Sequence, residues 1–114
     1  MKLKDRANLL ASHIGDMING KAQSWEVEPL LAVKDATRHN RELPDGCILL
    51  RVLIVADEQA GEMGRMELFV PVSKKRLGED IDSVYRSVVR FIGQATSYRA
   101  ETIGKVQERI AAKQ

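Results

Sequence analysis

Cys47-Ile48-Leu49-Leu50-Arg51-Val52-Leu53-Ile54-Val55-Ala56 is the only long apolar run in the chain. Its β-branched residues make it a strand rather than a helix. Side chains alternate along a strand, so its two faces can be written out. One carries Ile48, Leu50, Val52, Ile54 and Ala56; the other carries Cys47, Leu49, Arg51, Leu53 and Val55. Both are apolar, with a single charge in the middle of the second, so both need covering. A central strand is expected, with helices on one face. The other face is to be closed by a second copy of the protein or by a helix of the same chain.

Downstream, Asp57 to Gly64 forms an acidic, glycine-bearing loop. Met66, Leu68, Val70 and Val72 then make an apolar face, opposed by Arg65, Glu67, Phe69 and Pro71. An antiparallel hairpin of residues 47–56 with 65–72 follows, joined by an open loop rather than a tight two-residue turn. Upstream, Pro44-Asp45-Gly46 is a turn sequence. The polar stretch from Asp35 to Glu42 before it reads as a mobile hairpin tip, or else as a long ordered connection with a function. Trp25, Val27, Leu31 and Val33 share one parity, with Glu26, Glu28 and Lys34 on the other, which favours a strand over 24–34. Pro29 suits only an edge strand or a bulge. The competing reading is a strand to Glu28 and then a helix from Pro29 through Val33 to Arg38.

Helical periodicity governs both ends. Leu3, Ala7, Leu10, Ile14 and Met17 form one stripe, so a helix is expected over 3–18, ended by Asn19-Gly20. Near the other end, Glu79, Asp80 and Asp82 suit the first turn of a helix. Ile81, Val84, Tyr85, Val88, Ile92 and Ala95 mark its buried stripe, which Ile103, Val106 and Ile110 resume. One long helix over 79–112, or two with a break near 96–101, would outreach a small sheet. The whole predicts a single α+β domain over 1–114: an N-terminal helix, a small antiparallel sheet of two to three strands, and one or two C-terminal helices.

At 114 residues the chain can bury a sizeable core without metals or disulfides. The lone Cys47 is expected to be a buried, reduced thiol in a cytoplasmic protein. No stretch approaches the ~20 apolar residues that span a bilayer, so no membrane role is expected, and no secretory signal is read at the start. Charge is uneven: residues 1–72 hold 9 Lys/Arg against 11 Asp/Glu, and 73–114 hold 9 against 5.

Catalytic and metal constellations fail on inspection, and no cofactor motif is present. His13 and His39 have no ligand spacing and read as surface residues. Pro44-Asp45 ahead of a strand resembles the opening of a metal-dependent nuclease site, but Glu67-Leu68-Phe69 on the adjacent strand lacks the lysine that would complete it. The loop from Asp57 to Glu62 lacks calcium-loop spacing. These elements leave an enzyme as the third reading.

Arg51 is the residue that stands out, because a charge among Leu49, Leu53 and Val55 is costly to bury unpaired. Glu67 has the parity to share its face and pair with it. If a second subunit closes that face, Leu49, Arg51, Leu53, Glu67 and Phe69 form the interface, with Phe69 as an anchor. The expected function is therefore a small non-catalytic interaction protein, accessory or inhibitory and dimeric, a profile that such proteins of mobile elements fit. The alternative is a nucleic-acid-binding accessory protein using the cluster Lys74, Lys75 and Arg76, read as a loop ahead of a helix, together with Arg86 and Arg90, and Lys105 and Arg109, whose helical spacing suits phosphate contacts.

Overall fold

The computed structural model describes residues 2–112, with side chains through Ser97. Its elements follow in the order α1 (Leu3–Ile18), β1 (Ser24–Leu30), α2 (Val33–Thr37), β2 (Cys47–Val55), β3 (Arg65–Ser73), α3 (Lys74–Glu79) and α4 (Ile81–Ala112). A 3₁₀ segment, Glu58–Gly64, joins β2 to β3. The three strands form one antiparallel sheet in the order β1-β2-β3, so the apolar run of β2 lies at its centre. This is an α+β fold with an N-terminal helix and C-terminal helices.

The faces of β2 divide as alternation requires. Ile48, Leu50 and Val52 are fully buried. They join Val70 and Val72 of β3 in one cluster with Ala7, Leu10 and Ile14 of α1 and with Val84, Val88 and Ile92 of α4. Burying a residue of this size contributes roughly 1.5–3 kcal/mol relative to leaving it exposed, which makes this seam the main source of stability. Leu77 of α3 is also fully buried, and the Arg6 guanidinium donates to its carbonyl at 3.3 Å. The short helix α3, capped by the Ser73 hydroxyl accepting from the Arg76 N–H at 3.2 Å, was not legible in the sequence.

Residues 24–34 combine both expected readings. The strand runs through Pro29 to Leu30, and a helical turn then begins at Val33. The turn forms because the Asp35 carboxylate accepts from the Ala32 N–H at 3.2 Å and because Ala36 is wholly buried. Asn40 at φ 56° turns the chain back, with the Arg41 N–H donating to the Ala36 carbonyl at 2.9 Å. The stretch 35–42 is thus built around a helical turn rather than a loose tip.

The prolines explain how strands survive around them. The Lys74 N–H donates to the Gly46 carbonyl at 2.9 Å, and this pair extends the β2–β3 register by one step from Ser73↔Cys47. Bonding alternates along an antiparallel ladder, so the N–H groups of Val72 and Val70 point to β2 and position 71 points outward. The same alternation on β2 sends Glu28 and Leu30 of β1 inward and position 29 outward. Both prolines therefore place their missing donor on a free edge, where no ladder bond is lost.

α4 is one continuous helix of 32 residues, about 48 Å long at 1.5 Å per residue. The molecule measures 58 × 28 × 21 Å as a result. Among the described residues Ile92 is the last buried position on α4. No helix among the described residues is long and apolar enough to cross a membrane.

Candidate functional site

The second face of the sheet is read row by row from the register. Leu30, Leu49 and Pro71 form one row; Glu28, Arg51 and Phe69 the next; Glu26, Leu53 and Glu67 a third; Ser24, Val55 and Arg65 the last. The rows differ in cover. At the first, Leu30, Leu49 and Ala36 form a small buried cluster, with Leu43 and Phe69 packed against it. The cap is α2 and the chain that follows it, so this end is closed by the protein itself. Leu49, expected at an interface, is only 4% exposed under that cap.

Phe69 is half-buried in the same cap. The Arg41 guanidinium lies 4.4 Å from its ring centroid, a cation–π contact. The His39 ring is tilted against it at 5.7 Å, and His39 Nε2 sits 3.9 Å from Glu28. Phe69 therefore anchors a lid of its own chain.

Arg51 marks the border of the covered half. Its side chain is 11% exposed, and three carboxylates surround it: Glu67 at 2.8 Å, Glu26 at 3.2 Å and Glu28 at 3.6 Å. Burial works against the guanidinium charge. The hydrogen bond and the charge of Glu67, joined by those of Glu26, outweigh this and hold its pKa above the ordinary arginine value. The glutamates are 41–59% exposed, so solvent stabilises their charge as well, and three anions meet one largely covered cation. The sequence placed Glu67 beside Arg51. Glu26 and Glu28 were read as a wet side of β1, because periodicity tells which residues share a parity but not which strand lies alongside.

Past Arg51 the face is open only in part, since Val55 is buried. Leu53 is partly exposed, and Glu26 and Glu67 stand directly opposite it on either neighbouring strand. A depression of about 470 Å³ follows, lined by Leu53, Val55, Ser24, Glu58, Glu62 and Arg65. Its wall is the 3₁₀ segment, held by Asp57 accepting from the Gln59 N–H at 3.0 Å and by the Gln23 side-chain oxygen accepting from the Glu58 N–H at 2.8 Å. Apolar floor and acidic rim are the chemistry of this half.

The basic residues lie elsewhere. Lys74, Lys75 and Arg76 are exposed within α3 itself rather than in a loop before a helix. The Arg76 guanidinium donates to the Ser83 hydroxyl at 3.0 Å. Exposed Arg86 and Arg90 follow Ser83 by three and seven residues, so they share its side of α4. Lys105 and Arg109 stand on α4, and their side chains lie outside the described residues. Cys47 is a free thiol and half-buried rather than buried, since it opens β2 at the end of the sheet. His13 is exposed, with its ring edge-on to Tyr85 at 6.2 Å. Among the described residues no group of three His, Cys, Asp or Glu is placed to hold a metal ion.

Comparison with known proteins finds no matching family model, no matching curated protein and no matching solved structure.

Proposed function

We propose that this chain is a small non-catalytic interaction protein, accessory or inhibitory in role, that works in the cytoplasm and associates with itself through its sheet and helix surfaces. The observation that carries this reading is the divided second face. Half is sealed by the chain's own cap, and half presents the partly exposed Leu53, with buried Val55 behind it, within a rim of carboxylates. Edge-to-edge pairing of sheets is disfavoured by Pro29 and Pro71 on the two free edges, which leaves the face as the surface to be covered. Sedimentation across a wide concentration range tests it. Mass rising with concentration, and falling back in Leu53→Asp, is the expected result; a constant monomer mass removes the self-association. Phe69→Glu is a poor probe, because it would also unseat the cap.

A second reading, contact with a nucleic-acid backbone, is supported by the continuity of Arg76, Arg86 and Arg90 around Ser83, with Lys74, Lys75, Lys105 and Arg109 as further cations. Binding to oligonucleotides that falls steeply with salt would favour it, since each phosphate contact releases counterions. No binding at low salt would end it.

A further inference from the structure

The open half of the second sheet face has a rim of one sign, and the chain itself carries a segment of the other. Glu26 and Glu67 flank the partly exposed Leu53 and Glu58 lines the depression beside it, and Arg51 is already engaged by three glutamates. Among the described residues Arg65 is the one cation in the lining of the depression. Residues 98–114 hold Arg99, Lys105, Arg109 and Lys113 against Glu101 and Glu108. Apolar Ile103, Val106 and Ile110 are interleaved at helical spacing. α4 carries this segment as a helix to Ala112, about 30 Å past Ile92, its last buried position among the described residues. It cannot reach the acidic face of its own sheet. α4 is continuous and is packed on the opposite face, against α1 and β3.

Resting on the self-association proposed above, we infer that the occupant of the acidic half-face is the C-terminal part of α4 from a second copy. The exchange is reciprocal. Each protomer lays its basic arm across its partner's Leu53 row, which gives two identical contacts and a closed two-fold dimer. The apolar residues of the arm meet the floor, and its cations meet the glutamate rim, so that charge sets partner choice and register.

A charge swap tests this directly on the full chain. Glu26→Lys with Glu58→Lys reverses the rim while leaving Glu67 and Glu28 on Arg51; Lys105→Glu with Arg109→Glu reverses the arm. Each reversed protein alone is expected to dimerise at least tenfold more weakly than the wild type by sedimentation. An equimolar mixture of the two is expected to regain dimer, because in the mixed pair both rim–arm contacts are again of opposite sign. If the rim variant fails to fold by circular dichroism, the arm variant alone decides, with its own circular dichroism matched to the wild type. A wild-type dimer indifferent to both reversals would leave self-association standing and overturn this surface. A wild type monomeric at every concentration would overturn both. Binding of a synthetic leucine-striped lysine peptide to that monomer would then make the occupant a foreign basic segment.

Discussion

On the β3 side, Arg51 bonds Glu67 rather than Phe69, the residue opposite it. Its Nε and Nη2 both reach one carboxylate oxygen, at 2.9 and 2.8 Å, although the register sets Arg51 against Phe69 and Glu67 against Leu53. The diagonal frees Phe69 to seat the cap and draws Glu67 to the edge of the open half-face. One ion pair thus divides the second face of the sheet into a sealed part and an available one.

Arg51→Lys is expected to destabilise the fold by about 1–2 kcal/mol, since a lysine has a single nitrogen and cannot reach Glu67 and Glu26 from separate arms of a rigid fork. The arginine pKa is raised in the fold, so its contribution is complete below the ordinary arginine range and lost only as pH rises through the folded value, in strong alkali. Denaturant melts near neutral pH should therefore show the same loss at each pH. A loss below a few tenths of a kcal/mol would mean that the pair is solvated and idle.

Leu50→Ala empties a fully buried site on the central strand. The expected cost is about 2–5 kcal/mol from lost transfer energy plus the cavity left behind. Urea unfolding would show the midpoint fall with an unchanged slope.

Two glycines should respond in opposite directions. A Cβ at Gly64 would run into the Asp57 carbonyl, just where the Ala56 N–H donates to the Gly64 carbonyl at 2.8 Å to close the hairpin. Gly64→Ala is expected to cost about 2 kcal/mol or more through this backbone collision. Gly93 lies inside α4 with nothing within 4 Å of a Cβ, so Gly93→Ala should stabilise by about 0.5–1 kcal/mol. Thermal melts of the pair check both signs at once.

Ala36→Leu should lift the cap without unfolding the sheet. Ala36 is the side of α2 packed on Leu30 and Leu49 and has no exposed surface, and overfilling such a site costs about 1–3 kcal/mol. Hydrogen exchange is expected to quicken across residues 33–46 and to stay slow in β2. Equal acceleration in both would show that cap and sheet open as one unit.

The elements whose signal lies within a few turns of chain were legible. The helix read over 3–18 is Leu3–Ile18, and the hairpin read over 47–56 and 65–72 is Cys47–Val55 with Arg65–Ser73. The apolar stripe Val84, Val88 and Ile92 is the buried side of α4. Two short helices were poorly legible: α2 enters only through the competing reading of a helix from Pro29 to Arg38, and α3 not at all. α2 spans only Val33–Thr37 and α3 only Lys74–Glu79, too short for periodicity to declare, and each is held by one buried side chain, Ala36 or Leu77.

By itself the sequence determined which residues of β2 share a face, that both faces are largely apolar, and that Pro29 suits only an edge or a bulge. Those follow from alternation and from the missing proline N–H, which are properties of the local backbone. Only the tertiary structure decided that Glu26 and Glu28 join Glu67 around Arg51, that the segment after β1 folds over Leu49 and Phe69, and that Leu53 is left beside the acidic depression. Those depend on strand register and on contacts between residues far apart in the chain. They are set by how well the whole assembly packs, and no local window of sequence contains that information.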